Sequence, residues 1–183
     1  MDFKKVFEIL ITEFQKNKIE FVLIGGHALS FAGLERTTVD IDFAVLLEQA
    51  DIVDDIMRKY GYRAAHKTQD VANYLSQLAE LGQVDFLFAH RKYALEILKR
   101  AELRNIFRFK IKVAKPEDLI GLKVQSSSND PQRYHKDMAD IEGIITANLK
   151  KLDLELVREY FKLFEREKEL DEILEKTNEP FGS

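Results

Sequence analysis

The sequence predicts an α/β (α+β) fold: a mixed sheet flanked by helices, followed by a helical C-terminal portion. Three observations predict it. Short apolar or alternating runs near residues 21–24, 39–46, 83–89 and 107–113 have the length and pattern of strands. Segments of helical periodicity separate them, which is the mixture expected of a single α/β body. Beyond Pro116 the strand signals cease and only helical patterns continue. With 183 residues and 45% hydrophobic content, the chain can bury a core of its own. No linker is long enough to divide it. The expectation is one domain over 1–183, with a catalytic α/β core at 1–114 and helices over 115–183.

Each element has a local reason. Val6, Ile9, Leu10, Ile11 and Phe14 recur at helical spacing over residues 3–17, with Asp2 placed to cap. Phe21 to Ile24 is a continuous apolar run ended by Gly25-Gly26, a buried strand entering a tight turn. A short helix is expected over His27 to Ala32, a strand over 39–46, and a helix from Ala50 to Tyr60 that Gly61 stops. Between Tyr62 and Leu81 two readings stand. Tyr74, Leu75, Leu78 and Leu81 suit a helix, or the stretch is one arm of a hairpin turning at Gly82.

Gln83 to Ala89 is a strand and Tyr93 to Leu103 a helix. Phe107, Phe109, Ile111 and Val113 alternate with Arg108, Lys110 and Lys112, as in a half-exposed strand. Lys115-Pro116-Glu117-Asp118 opens a helix, with proline in the first turn and acids at the positive end of its dipole. Ser126 to Asp130 reads as a polar loop. Two helices follow, from about Gln132 to Leu149 and from Asp153 to Lys176, the second burying Val157, Phe161 and Phe164.

Composition excludes several classes. The net charge of -4 argues against a protein that coats nucleic acid along its whole surface. Without cysteine there is no disulfide, thiolate metal site or cysteine nucleophile, which fits a cytoplasmic location. Glu8 and Glu13 interrupt the first apolar run, against a signal peptide, and no segment approaches the roughly 20 apolar residues of a membrane span. The histidines at 27, 66, 90 and 135 lack metal-ligand spacing, and no serine is framed as a nucleophile elbow.

The chemistry concentrates in Val39-Asp40-Ile41-Asp42-Phe43. In a strand, residues two apart share a face, so Asp40 and Asp42 project together with Cα atoms about 7 Å apart. Val39, Ile41 and Phe43 are expected to point into the core. Paired carboxylates repel unless a cation lies between them, and Mg²⁺ or Mn²⁺ takes oxygen ligands while keeping substrate phosphates. Val84-Asp85-Phe86 repeats the pattern, and a neighbouring strand would bring Asp85 to the pair. Three carboxylates can hold two metals across an in-line phosphoryl displacement. An Asp-x-Asp alone also suits a solvated strand face or a calcium loop. Gly25-Gly26 shifts the balance, because glycines between strand and helix let backbone N–H groups approach a phosphate.

The stretch FVLIGGHALSFAGLERTTVDIDFAV, from Phe21 to Val45, resembles the polymerase-β-like nucleotidyltransferase superfamily. It is most similar to the bacterial branch containing the AbiEii-type toxins of toxin–antitoxin systems. The likeness rests on the Gly-Gly turn, the run from Arg36 to Asp42 and the later Val84-Asp85-Phe86. It extends more loosely through Lys115 to Leu119, Lys123, Arg133, Lys136, Asp137 and Asp140. It implies that Asp40, Asp42 and Asp85 are catalytic and hold Mg²⁺ or Mn²⁺. It also implies that Gly25, Gly26, Thr37 and Lys123 bind an NTP whose NMP moves to an acceptor, while Arg36, just before the acid strand, suits either a phosphate contact or a surface ion pair. Many members carry Gly-Ser where this chain has Gly26, followed by His27.

Other readings stand beside these. Lys123, amid Leu119, Ile120, Leu122 and Val124, either snorkels or reaches a phosphate. Arg133 with Asp137, and Lys136 with Asp140, are spaced for intrahelical ion pairs. The acceptor is expected to be RNA, a protein or a small molecule, with an antitoxin as a further partner and no membrane. A non-catalytic nucleotide- or partner-binding module of the same fold is the alternative, and a metal-dependent nuclease is a third. For RNA, residues 91–112 hold eight basic residues against Glu96 and Glu102, a local net of +6. Arg108, Lys110 and Lys112 would form a strip suited to phosphates, unless the acidic stretch 151–183 neutralises it.

Overall fold

Strand pairing follows the apolar patterning and puts the strand Asp40–Leu46 at the centre of the sheet. The computed structural model describes residues 1–35 and 37–178. It divides into two units, Met1–Ala28 with Arg36–Ala114 and Leu29–Glu35 with Lys115–Ser183.

The first unit holds the sheet. After α1 (Phe3–Lys16) come β1 (Phe21–Ile24), α2 (Gly25–Leu29), β2 (Asp40–Leu46) and α3 (Ala50–Lys59). Then follow β3 (Tyr62–Lys67), β4 (Val71–Ser76), β5 (Gln83–Ala89), α4 (Lys92–Arg100), β6 (Glu102–Ile106) and β7 (Phe109–Val113). The spatial order is β3-β4-β5-β2-β1-β7-β6. β1 runs antiparallel to β2 and parallel to β7, and β2 runs parallel to β5, so the sheet is mixed.

One face of the sheet meets α1. Phe43 and Phe86 lie edge-on to Phe14 at 5.4 and 6.1 Å, and Phe7 meets Phe43 at 6.1 Å. Each such fully buried ring contributes roughly 2 kcal/mol by removal from water. Polar ties brace the same layer. Asp2 caps α1 through the Lys5 N–H at 3.0 Å. Glu13 accepts from Lys59 at 2.6 Å and Tyr60 at 2.8 Å, and Asp54 on α3 accepts from Lys67 and from the buried Tyr74 hydroxyl.

The second unit is helical: α5 (Pro116–Asn129), α6 (Tyr134–Asn148), α7 (Leu154–Lys162) and α8 (Glu167–Asn178), with a short 3-10 turn at Ser30–Ala32. Leu119, Ile120, Val124, Ile141, Ile144, Ile145, Val157, Phe161 and Leu170 are at most 2% exposed and form its core. Tyr160 lies where a Gly121 side chain would project, 2.8 Å from that Cβ position, and its hydroxyl donates to the buried Asp118 at 2.6 Å. Among the described residues, no helix is long and apolar enough to cross a membrane.

Five segments depart from the sequence reading, the first being the helix expected over Tyr93–Leu103, which stops at Arg100 and gives way to β6 at Glu102–Ile106. Of the two readings of 62–81 the structure takes the hairpin and not the helix: β3 and β4 pair antiparallel, and β4 turns through Gly82 (φ +62°) into β5. Leu75 and Leu78, which suited a helical stripe, are 51% and 56% exposed. The alternating run at 107–113 is interrupted, because Phe107 (φ +52°) and Arg108 form the β6–β7 turn. Ser126 to Asn129 extend α5, where Ser127 and Ser128 hydroxyls return to main-chain carbonyls within the helix. The last predicted helix breaks at Glu165 (φ +57°) into α7 and α8, and Phe164 is only half-buried. Val39, expected in the core, is 74% exposed, because β2 begins one residue later.

Candidate active site

Alternation along β2 sends Ile41 and Phe43 into the core and leaves Asp40 and Asp42 half-buried on the opposite face. The parallel pairing with β5 is in register, with Asp42 opposite Asp85 and Asp40 opposite Gln83. Side chains opposite each other in a ladder share a face, so the third acid joins the first two. One carboxylate oxygen from each of Asp40, Asp42 and Asp85 lies within 4.8 Å of the others. At an effective dielectric of about 20, unit charges at that separation repel by roughly 3 kcal/mol per pair. A divalent cation removes that cost, and an all-oxygen donor set is what Mg²⁺ or Mn²⁺ takes.

Neighbouring groups orient these acids. Thr38 donates its hydroxyl to Asp40 Oδ1 at 2.7 Å. Gln83, two residues before Asp85 on the same strand face, donates its amide to both Asp85 oxygens at 3.0 and 3.1 Å. Sequence reasoning singled out neither residue. A polar side chain at i−2 of a strand acid was the available signal for Gln83. Thr37, the threonine it did choose, is exposed, whereas Thr38 contacts the acid. Arg36 lies outside the described residues.

The glycine pair owes its identity to these same side chains. β1 ends at Ile24 opposite Asp42, and Gly25 turns the chain with φ +64°. A Cβ on Gly25 would lie 2.0 Å from Asp42 Oδ2, and one on Gly26 would lie 2.5 Å from Thr38 Oγ1. Gly25 and Gly26 therefore bring main chain against Asp42 and Thr38 where no side chain fits. His27 follows, its ring edge-on to Phe3 and Phe7 at 4.6 and 5.6 Å. Burial lowers its pKa, opposed by the charge of Asp40.

Lys123 belongs to the second unit. Its ammonium lies 3.0 Å from Asp137 Oδ1 and 2.5 Å from Asp140 Oδ2. Arg133 pairs with the fully buried Asp137 at 3.2 Å, as its spacing suggested, whereas Asp140 turns to Lys123. Burial pushes the Asp137 carboxyl up, but Lys123, Arg133 and Ser126 outweigh it and hold it below the usual range. The basic strip is also altered. Arg108 occupies a turn within 3.9 Å of Glu8, and Lys112 pairs with Glu20 at 2.8 Å, so acids of the first unit engage both.

The model of the family described as "Nucleotidyl transferase of unknown function (DUF2204)" matches residues 3–179. The chain belongs to this nucleotidyl transferase family. The transferase fold is that of the polymerase-β-like enzymes. The solution structure of the antibiotic-resistance factor ANT(2'')-Ia superposes with a TM-score of 0.66 at 16% identity, covering 96% of this chain and 99% of that one. The lincomycin-bound lincosamide antibiotic adenylyltransferase LnuA gives 0.57 at 16% identity over 76% of this transferase and 94% of its own chain. An antigenic nucleotidyltransferase-like protein from Paracoccidioides brasiliensis gives 0.58 at 16%, covering 95% and 92%. These likenesses establish the fold of the transferase. No curated protein matches it in sequence.

Proposed function

We propose that the chain transfers NMP from an NTP to an acceptor hydroxyl, using Mg²⁺ or Mn²⁺ held by Asp40, Asp42 and Asp85. The observation that carries this reading is the convergence of these three carboxylates within 4.8 Å, beside a glycine turn with no room for side chains. Bound there, the metal supplies charge neutralisation for the phosphates and for the oxygens entering and leaving phosphorus.

The chain's own residues do the rest. Gly25 and Gly26 admit the triphosphate to main-chain N–H groups at the start of α2, with Thr37 and Arg36 on the segment that leads into β2. Asp85, on the far strand, takes the acceptor's proton. The acceptor oxygen bonds to the α-phosphorus, the bond to the bridging oxygen of the β-phosphate breaks, and pyrophosphate leaves with that electron pair. Thr38 and Gln83 keep two of the acids aimed. Lys123, held by Asp137 and Asp140, is assigned to phosphate binding on the resemblance alone.

The resemblance to AbiEii-type toxins supports an RNA acceptor and an antitoxin partner as the finer form of this reading. Growth arrest on expression, relieved by Asp42→Ala, tests the toxin role. The core reading is tested by calorimetry with Mg²⁺ and ATP, CTP, GTP or UTP. Wild type should bind at least one nucleotide in a metal-dependent way, and Asp42→Ala should not. Equal binding by both proteins would refute the assignment.

A further inference from the structure

The strand order acts as a ruler across the site. β1, with the glycine turn at its end, lies on one side of β2, whereas β5, β4 and β3 lie in succession on the other. In an in-line displacement the attacking and leaving oxygens occupy opposite sides of phosphorus. If the triphosphate sits over Gly25 and Gly26, pyrophosphate departs on the β1 side. The acceptor must then enter over β5, β4 and β3. This rests on the nucleotidyl-transfer reading above.

The register identifies the side chains it would meet. Asp42 is opposite Asp85, Asp85 opposite Asn73, and Asn73 opposite His66. The adjacent row runs Asp40, Gln83, Leu75, Arg63. With strands about 4.8 Å apart, His66 lies roughly 10 Å along the sheet from Asp85, on the same face. A bulge between Ala64 and His66 keeps both Arg63 and His66 on that face, while Lys67 turns to Asp54 on the other. Arg63 and His66 are exposed, and Leu75 is 51% exposed.

The chemistry of this platform is one-sided. Neither β3 nor β4 contains an aspartate or glutamate. Arg58, Arg91, Arg100, Arg104 and Arg108 each lie within ion-pair distance of an acid. Among the described arginines of the first unit, Arg63 alone forms no such pair. A guanidinium with an imidazole and an amide beside it offers a fork of donors for phosphate oxygens. A polycationic acceptor would meet Arg63 with no carboxylate on either strand to compensate.

We infer that the acceptor carries a phosphate, and that Arg63, with His66 and Asn73, binds this phosphate while the reacting hydroxyl lies at Asp85. An RNA 3′ end and a small sugar phosphate share this chemistry. The test is binding of a 5′-fluorescein-labelled single-stranded oligoribonucleotide with a free 3′ hydroxyl, read by anisotropy with Mg²⁺ and a non-hydrolysable ATP analogue. Glucose 6-phosphate serves as competitor, and calorimetry of the Mg²⁺–analogue complex runs on every variant.

Arg63→Gln should weaken oligonucleotide binding about tenfold and lower the salt slope by about 1. Arg63→Lys should restore much of it, and Lys110→Gln on β7 should match wild type. Arg63-dependent binding of glucose 6-phosphate without the oligonucleotide supports the same subsite with a small acceptor. Binding of neither, equal binding by Arg63→Gln, an equal loss in Lys110→Gln, or binding of tobramycin in their place overturns the inference. If wild type fails to bind the Mg²⁺–analogue complex at all, it is the transfer reading that falls.

Discussion

Gly25→Ala separates two costs that coincide at one position. The residue has φ +64°, so any side chain there incurs left-handed strain of about 1–2 kcal/mol. The added Cβ would also lie 2.0 Å from Asp42 Oδ2, 2.3 Å from its Cγ and 2.7 Å from its Cβ. Ordinary contact is about 3.5 Å, so the carboxylate must retreat by about 1.5 Å or the turn must open. Overpacking of that kind costs a further 1–3 kcal/mol or so. The expected loss of stability is about 2–5 kcal/mol. Mn²⁺ affinity should fall by at least about 10- to 100-fold, the range for disturbing the support of a ligand. Gly61→Ala is the control, with φ +78° and nothing within 4 Å of its Cβ position. It should lose only the strain cost and bind Mn²⁺ as wild type does. Urea midpoints and Mn²⁺ titration by electron paramagnetic resonance, under conditions where both variants are folded, give the two readouts. If Gly25→Ala behaves like Gly61→Ala in both, the packing argument is wrong.

Asp85→Asn should abolish nucleotide transfer yet bind Mg²⁺–NTP within a few-fold of wild type, and substantial turnover would remove the proton-accepting role. Gln83→Leu should lower kcat by about 10- to 100-fold with the KM for NTP little changed, whereas an unaltered kcat would show that Asp85 is held without it. Glu13 is held below the usual carboxylate range by hydrogen bonds from Lys59 and Tyr60, against the opposing effect of desolvation. Its contribution is therefore complete above the unfolded value of about 4.3 and is lost as pH falls through the lower folded value. Glu13→Gln should cost about 1 kcal/mol at neutral pH, with the gap from wild type closing in acid. A gap that persists unchanged through acid unfolding would contradict this.

Local chemistry was legible where one pattern dominated. The Asp2 cap, the proline start of α5 and the core alternation of β2 and β5 follow from spacing alone. The acids were legible as a pair on one strand with a third on another. What sequence does not carry is which strands adjoin, and only the parallel register of β2 on β5 places Asp42 beside Asp85. Leu75 and Leu78 misled because their spacing fits a helix, while pairing with β3 and β5 consumes the β4 backbone as strand. Val39 and Phe107 misled for a shared reason. Apolar residues that extend an alternating run do not reveal where hydrogen bonding ends. Thr38 and Gln83 were passed over because neutral donors beside carboxylates are common in any polar strand, and only their distances mark them.

The parallel partnership of β2 with β5 also governs when the site comes into being. A parallel neighbour cannot be reached by a tight turn, and here the connection runs through α3 and the β3–β4 hairpin. Early in folding the chain can form α1 and its local hairpins, but Asp85 remains remote from Asp40 and Asp42. A cation therefore finds its full set of ligands only after the long connection between β2 and β5 has closed. Such an ion cannot nucleate the fold, and it retains what has already assembled. Mg²⁺ or Mn²⁺ should leave the refolding rate nearly unchanged and slow unfolding, making the ion a brake on the exit from the native state.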